Sequence, residues 1–353
     1  MRIKATIIAL AAVALSLNCA AGERWSVEKA NAWYDQLPWM AGCDYIPATA
    51  INQIEMWSAD TYDRAQIDRE LDWAQEIGFT TLRVYLSSVV WKNDPEGLKN
   101  RMDDFLGRCS RRGIRPLFVF FDDCWNEESS YGKQPAPKPG VHNSGWVKDP
   151  AISLRADTTT LYPQMRAYVK DILSRFANDN RILLWDLYNE PGNGRNGKFA
   201  RMFVPKVFEW AREVTTSQPL SMGVWTDAGV LNTMQLALSD VVTYHCYSDT
   251  KWHKQVIDSL RAYNRPLICT EYMARTHKSK FKNIMPLLKK NKIIAINWGF
   301  VAGKTNTIFS WEKVMPDVKE PPVWFHDIFR QDGTPFDPKE IKLIKKLTGA
   351  DKK

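Results

Sequence analysis

The reading of this chain turns on the stretch Ile182-Leu183-Leu184-Trp185-Asp186-Leu187-Tyr188-Asn189-Glu190-Pro191. A continuous apolar run ending in Asn-Glu-Pro predicts a buried strand that delivers one carboxylate to the point where the strand opens into a loop. The run Pro266-Leu267-Ile268-Cys269-Thr270-Glu271-Tyr272 repeats the design, again with a Glu at the strand end. Two carboxylates carried on strand ends are equipment for general acid and nucleophile chemistry, and cleavage of a glycosidic bond is the reaction that needs such a pair.

Working outward, short apolar runs alternate with amphipathic helical patterns. Eight strands are expected: Trp39 to Cys43, Thr80 to Tyr85, Pro116 to Phe121, Ile182 to Tyr188, Ser221 to Trp225, Val241 to Cys246, Leu267 to Thr270 and Ile293 to Trp298. Helical periodicity fills the gaps at Ala65 to Glu76, Glu96 to Arg112, Leu161 to Phe176, Ala200 to Val214, Lys254 to Tyr263 and Lys280 to Lys292. Gly78 and Gly113 stand where helices should stop. Parallel strands need crossover helices, and eight such units predict a closed (β/α)8 barrel in the α/β class. An open doubly wound sheet is disfavoured: no Gly-rich phosphate loop follows the first strand, and the candidate residues come from strand ends spread over the whole chain. The segment from Trp125 to Asp157 interrupts the rhythm and is expected to roof a cleft.

The 353 residues are 44% apolar, enough for a large core, and no composition shift divides them. Arg2 and Lys4 precede an apolar stretch from Ile7 to Leu17 and small residues at Cys19-Ala20-Ala21, the pattern of a cleaved secretory signal over 1–21. Residues 22–353 are then one catalytic domain, secreted or periplasmic. Cys19 is an alternative lipid attachment point, which would give an outer-surface lipoprotein, although Leu17-Asn18 make a poor processing site. Membrane association is expected only in that case. Loss of the leader takes the formal charge from +8 to +6. Most of the excess lies from Lys339 to Lys353, a solvated helix face and tail without aromatic interleaving, so nucleic acid is not an expected partner. The five remaining cysteines, Cys43, Cys109, Cys124, Cys246 and Cys269, are odd in number and lack CxxC spacing. That argues against a zinc site and a fully paired disulfide framework, and none is given a catalytic role.

On the strings Trp-Asp-Leu-Tyr-Asn-Glu-Pro and Ile-Cys-Thr-Glu, the chain resembles the retaining glycoside hydrolases of the large (β/α)8 superfamily that includes the family 5 cellulases and mannanases. The resemblance runs from Trp39 to about Leu347. It implies that Glu190, ending strand four, is the acid/base and Glu271, ending strand seven, the nucleophile. It implies that Arg83, in Leu82-Arg83-Val84-Tyr85, holds the nucleophile ionised, and that Tyr247 and His245, in Thr243-Tyr244-His245-Cys246-Tyr247, touch the nucleophile and line the sugar site respectively. Trp298 matches the tryptophan that floors the subsite of the reacting sugar. Asn189 is expected on a sugar hydroxyl. The run Phe121-Asp122-Asp123-Cys124-Trp125 lacks the His pair of many family 5 members, and Asp122 or Asp123 is expected to contact the sugar there, with Trp125 near it. Trp57, Trp146, Trp225 and Trp252 are further candidates, and Asp44 to Trp57 reads as a subsite wall.

The implied activity is hydrolysis of a β-linked oligo- or polysaccharide with retention, without metal or organic cofactor and without a stable protein partner. A transglycosylase would use the same residues. A catalytically silent carbohydrate-binding barrel is the reading from another class, and the presence of both Glu residues with Arg83, His245 and Tyr247 argues against it. A metalloenzyme fails on ligands, since five His occur and none form an HxH pair.

Overall fold

The computed structural model describes residues 22–225 and 229–352, so the expected leader and Cys19 lie outside the described residues. Eight parallel strands are present: β1 (Ala41–Asp44), β2 (Thr81–Tyr85), β3 (Leu117–Asp122), β4 (Trp185–Asn189), β5 (Leu220–Ser221), β6 (Val242–His245), β7 (Leu267–Glu271) and β8 (Ile294–Asn297). They pair in the order β5-β4-β3-β2-β1-β8-β7-β6. Just past β5, the Val224 N–H donates to the Thr243 carbonyl at 3.0 Å and the His245 N–H donates to the Val224 carbonyl at 2.9 Å, closing the sheet on itself. The architecture is the expected (β/α)8 barrel.

Helix α1 (Val27–Asp35) precedes β1; α2 (Gln53–Trp57) and α3 (Arg64–Glu76) follow β1, and α4 (Ser88–Asn93) and α5 (Pro95–Ser110) follow β2. One helix follows each remaining strand: α6 (Thr158–Phe176), α7 (Gly197–Arg212), α8 (Val230–Leu238), α9 (Thr250–Leu260), α10 (Phe281–Lys290) and α11 (Pro338–Thr348). Gly78 and Gly113 adopt φ of +78° and +68° directly after α3 and α5, as helix stops require.

Period-two alternation divides the core into layers. Leu82 and Val84 pack outward under the helices, while Arg83 and Tyr85 of the same strand face the barrel axis. The lower interior is apolar: Leu117, Ile268, Ile294 and Ile296 form one cluster with Trp25 and Ala30, so α1 and the segment before it plug the bottom of the barrel. The upper interior is polar and charged. Function, on this architecture, sits at that upper rim.

Two strands depart from expectation. The predicted Ser221 to Trp225 is regular only at Leu220–Ser221, because side chains from the α8 region take backbone groups that a ladder would use. Ser239 Oγ accepts the Met222 N–H at 3.1 Å, and the Gln235 amide donates to the Gly223 carbonyl. At β7, Ile268 faces the interior and Cys269 the outer layer, so unbroken alternation would turn Glu271 outward. A register shift at Tyr244/His245 instead pairs His245 with Glu271 and keeps Glu271 inside.

Gly42 marks the tightest contact between β1 and β2, since a Cβ there would lie 1.8 Å from the Thr81 carbonyl oxygen. Gly42→Ala is expected to destabilise the fold by about 1–3 kcal/mol through overpacking. A lowered urea midpoint with an unchanged m-value checks this.

Candidate active site

Arg83 is fully buried at the centre of the upper barrel and binds three strands at once. Its Nη1 donates to Glu271 Oε1 at 2.7 Å, to Asp44 Oδ1 at 2.9 Å and to the Tyr85 hydroxyl at 2.7 Å. Its Nε and Nη2 donate to Asp186 Oδ2 at 3.0 and 2.8 Å, and Nη2 also to Asn189 Oδ1 at 2.8 Å. Such a planar fork is suited to several carboxylates at fixed angles.

Glu271 is held on both oxygens. Arg83 and the Tyr85 hydroxyl (3.2 Å) meet Oε1, and the Tyr247 hydroxyl donates to Oε2 at 2.7 Å. Glu190 follows β4 with φ of +44°, a left-handed conformation that a residue preceding proline rarely takes. Asn193 Nδ2 donates to its Oε2 at 2.7 Å, and the Cys124 thiol lies 3.3 Å from the same atom. His245 Nδ1 is 2.9 Å from Glu190 Oε1 and 3.4 Å from Glu271 Oε2. The two carboxyl groups present oxygens within 4.8 Å of one another.

Burial pushes both carboxyl groups above the usual glutamate range. His245 when protonated, and then Arg83, pull Glu271 down, but loss of hydration is larger and the net shift is upward. For Glu190 the opposing pull comes first from Asn193 and then from Cys124. Burial lowers His245 to about 4, so its ring is neutral at pH 7 and couples the two carboxyls without adding charge.

The cleft above these groups encloses about 540 Å³. It is lined by Glu190, Glu271, Asn189, Tyr247, Trp298, Trp125 and Trp225, all singled out in the sequence. The predicted roof is present: Trp125, His142, Asn143 and Lys148 of the segment after β3 all face the cleft. Trp125 is 40% exposed at its mouth. Trp298 packs edge-on against Tyr85 and Trp146.

Several expected contacts lie elsewhere. Asp122 is buried below the cleft, where Trp146 Nε1 donates to Oδ2 at 2.6 Å and Asn189 Nδ2 to Oδ1 at 2.9 Å, so it positions those two side chains instead of meeting a sugar. Asp123 is ion-paired to Arg155 at 2.6 Å and accepts the Gly192 N–H at 2.6 Å, anchoring the loop that carries Glu190. His245 lies beneath the carboxyls, not among the residues lining the cleft. Asn189 does line the cleft, but its amide is engaged by Arg83, Asp122 and Cys124. The supposed wall from Asp44 to Trp57 is internal: Trp57 is buried and donates to the Tyr85 carbonyl at 2.7 Å, and Asn52 caps α2. Trp252 is exposed in a separate shallow depression.

The sequence reading missed Trp311, His142, Asn143, Lys148 and Cys124. The long insertion after β3 signalled a roof, but nothing in its composition ranked individual residues. Among the described residues one triad, Glu190, His245 and Glu271, has the ligand types and spacing for a metal ion. Its carboxylate oxygens are already committed to Arg83, Tyr247, Asn193 and Cys124. The adjacent guanidinium also repels a cation, so the donor set does not fit a metal.

Residues 137–303 match the family described as glycosyl hydrolases family 2, TIM barrel domain. A probable mannan endo-1,4-beta-mannosidase A-2 of Aspergillus terreus is 23% identical over 155 residues, 38% of this chain and 36% of that protein. The chain thus spans little more than a third of this curated relative. The exo-beta-1,4-mannosidase Op5Man5 of an Opitutaceae bacterium superposes with a TM-score of 0.62 at 18% identity, covering 89% of this chain and 60% of that one. The endo-beta-1,4-mannanase of Thermotoga petrophila gives a TM-score of 0.57 at 14% identity, covering 90% and 77%. These structural likenesses establish the fold, and with the family match they support a (β/α)8 glycoside hydrolase without placing it in family 5.

Removing a donor to an ionised carboxylate raises its pKa. Asn193→Ala is therefore expected to raise the apparent pKa of Glu190, and Cys124→Ala to raise it less. A ¹³C NMR titration of labelled Glu carboxyls checks both the direction and the order.

Proposed function

We propose that this protein is a retaining β-glycosidase, with Glu271 as nucleophile and Glu190 as acid/base. The observation that carries the reading is the approach of the two carboxyl groups to within 4.8 Å, with one of them bound to a buried arginine. Retaining enzymes hold their carboxyls about 5–5.5 Å apart, whereas inverting enzymes leave about 6.5–9.5 Å for a water. The close spacing here supports double displacement.

In the first step Glu271, kept anionic by Arg83 and oriented by Tyr247, attacks the anomeric carbon, and the C1–O bond to the leaving group breaks. Glu190, whose burial favours its protonated form, gives its proton to the departing oxygen. In the second step Glu190 takes a proton from water as that water attacks C1, releasing the sugar and restoring the Glu271 carboxylate. Trp298 offers an apolar face to the ring being cut. The names of the relatives make β-1,4-mannosides the first substrates to test, and the leader-like N-terminal stretch of the sequence is the ground for proposing that the reaction takes place outside the cytoplasm.

Glu271→Ala should abolish turnover on every substrate. Glu190→Ala should lose about 10²–10⁴-fold on substrates whose leaving group needs a proton, keep activity on aryl glycosides with good leaving groups, and form a β-glycosyl azide when azide is added. If Glu190→Ala is dead on activated substrates and azide changes nothing, the roles are misassigned.

Activity requires Glu271 ionised and Glu190 protonated, so the acid limb belongs mainly to the former and the basic limb to the latter, with joint titration of the pair. Arg83 lowers the Glu271 pKa, so Arg83→Met should move the acid limb to higher pH. Arg83→Lys, which keeps a charge but not the fork, should move it less. Arg83→Met should also cost about 3–5 kcal/mol of stability, because it strands buried carboxylates. An unmoved acid limb in a folded Arg83→Met variant would show that another group ionises the nucleophile.

A further inference from the structure

The loops after β3, β8 and β1 are joined across one side of the rim. The Asn143 N–H donates to the Thr305 carbonyl at 2.7 Å, the Met315 N–H to the Gly140 carbonyl at 3.0 Å, and the Lys304 N–H to the Ala48 carbonyl at 3.0 Å. His142 Nδ1 is 2.8 Å from the Phe309 carbonyl, and Asn306 Nδ2 donates to the Lys138 carbonyl at 2.9 Å. Below this seam Trp146 is wedged between Tyr85 and Trp298, with ring centroids 5.0 and 5.6 Å away. The space behind that layer, between Asp44 and Asp327, is a cavity of about 20 Å³, room for about one water molecule. A sugar chain has no path in that direction. The opposite side of the cleft is lined by Asn193, Gly194 and Trp225 of the loops after β4 and β5, where, among the described residues, the Trp225 indole N–H donates to the Pro191 carbonyl at 3.3 Å and no backbone–backbone bond spans the cleft.

The positions of the two carboxyls fix the direction of the substrate. The leaving oxygen must meet Glu190, so the departing part lies over the β4 and β5 loops, and the sugar attacked by Glu271 lies toward the seam. Asn143 lines that cleft, is 1% exposed, and has neither its amide oxygen nor its amide nitrogen partnered. A buried amide without partners is costly, and its paired donor and acceptor match a hydroxyl, which is both. Resting on the glycosidase reading above, we infer that the cleft is a blind pocket for one sugar: the enzyme removes single residues from the non-reducing end, and Asn143 binds a hydroxyl of that terminal sugar.

The full chain is given 4-nitrophenyl β-D-mannoside, glucoside, galactoside and xyloside, and reducing-end-labelled β-1,4-linked hexasaccharides of the same sugars. The expected first products are the monosaccharide and the labelled pentasaccharide, with no early fall in the viscosity of the corresponding polymer. Disaccharides or trisaccharides as first products, or rapid loss of viscosity, would overturn the inference while leaving the glycosidase reading intact. Failure to cleave any of these compounds would overturn both. Asn143→Ala should lower kcat/KM on the best aryl glycoside about tenfold to a hundredfold, the range for stranding or losing a buried hydrogen bond, with an unchanged Tm. On the 3-, 4- and 6-deoxy analogues the same substitution should cost markedly less for one analogue than for the others. An equal loss on all three, or no loss on the parent, would remove Asn143 from sugar recognition.

Discussion

A single guanidinium buried at the barrel axis is the interaction on which the rest of this structure depends. Arg83 on β2 reaches Asp44 on β1, Asp186 and Asn189 on β4, and Glu271 on β7, so one side chain ties together strands from opposite sides of the barrel. A charge in that position is tolerable only with partners, and the partners are tolerable only with the charge. Three carboxyls share one cation, and burial pushes Asp44, Asp186 and Glu271 upward together. Asp44 Oδ2 and Asp186 Oδ1 are both buried without a hydrogen-bond partner, and Asp44 lines the small cavity behind Trp298.

Around that centre, two backbone irregularities aim the carboxyls. A register shift turns Glu271 inward against the alternation of its strand, and a left-handed φ at Glu190, just ahead of Pro191, swings its side chain toward His245. Each opposes local preference, and each is held by long-range bonds: Cys246 N–H to the Glu271 carbonyl in the first case, Asp123 to the Gly192 N–H in the second. Strained conformations of this kind cluster where geometry serves chemistry. Asp122 and Asp123, adjacent in sequence, divide the support between them, one steadying Asn189 and Trp146 and the other the Glu190 loop.

The barrel was legible in the sequence because strand and helix periodicities are local, and all eight strands fall where the apolar runs are. Glu190 and Glu271 were legible because strand ends in a parallel barrel converge on one rim, whereas Arg83, Tyr247 and Trp298 were expected only from the resemblance to the (β/α)8 glycoside hydrolases. What escaped was whatever depends on contacts distant in sequence. Asp122 reads like a free carboxylate at a strand end, and only the folded chain brings Trp146 and Asn189 onto it. Trp57 reads like a loop aromatic and is core. The short β5 reflects competition from Ser239 and Gln235, which no local pattern announces. His142, Asn143 and Trp311 belong to irregular loops whose positions are set by bonds to each other's backbone.

The central claim is that the Arg83-bound carboxylate of Glu271 is the group that becomes covalently attached to the sugar. Incubation with a 2-deoxy-2-fluoro-β-glycosyl fluoride, chosen to match the best aryl glycoside, followed by peptide mass spectrometry, tests it most directly. The account predicts a stoichiometric adduct on Glu271 that forms with loss of activity and is displaced by added glycoside acceptor. An adduct on Glu190, or inactivation of no residue at all by a compound whose parent glycoside is turned over, would contradict it.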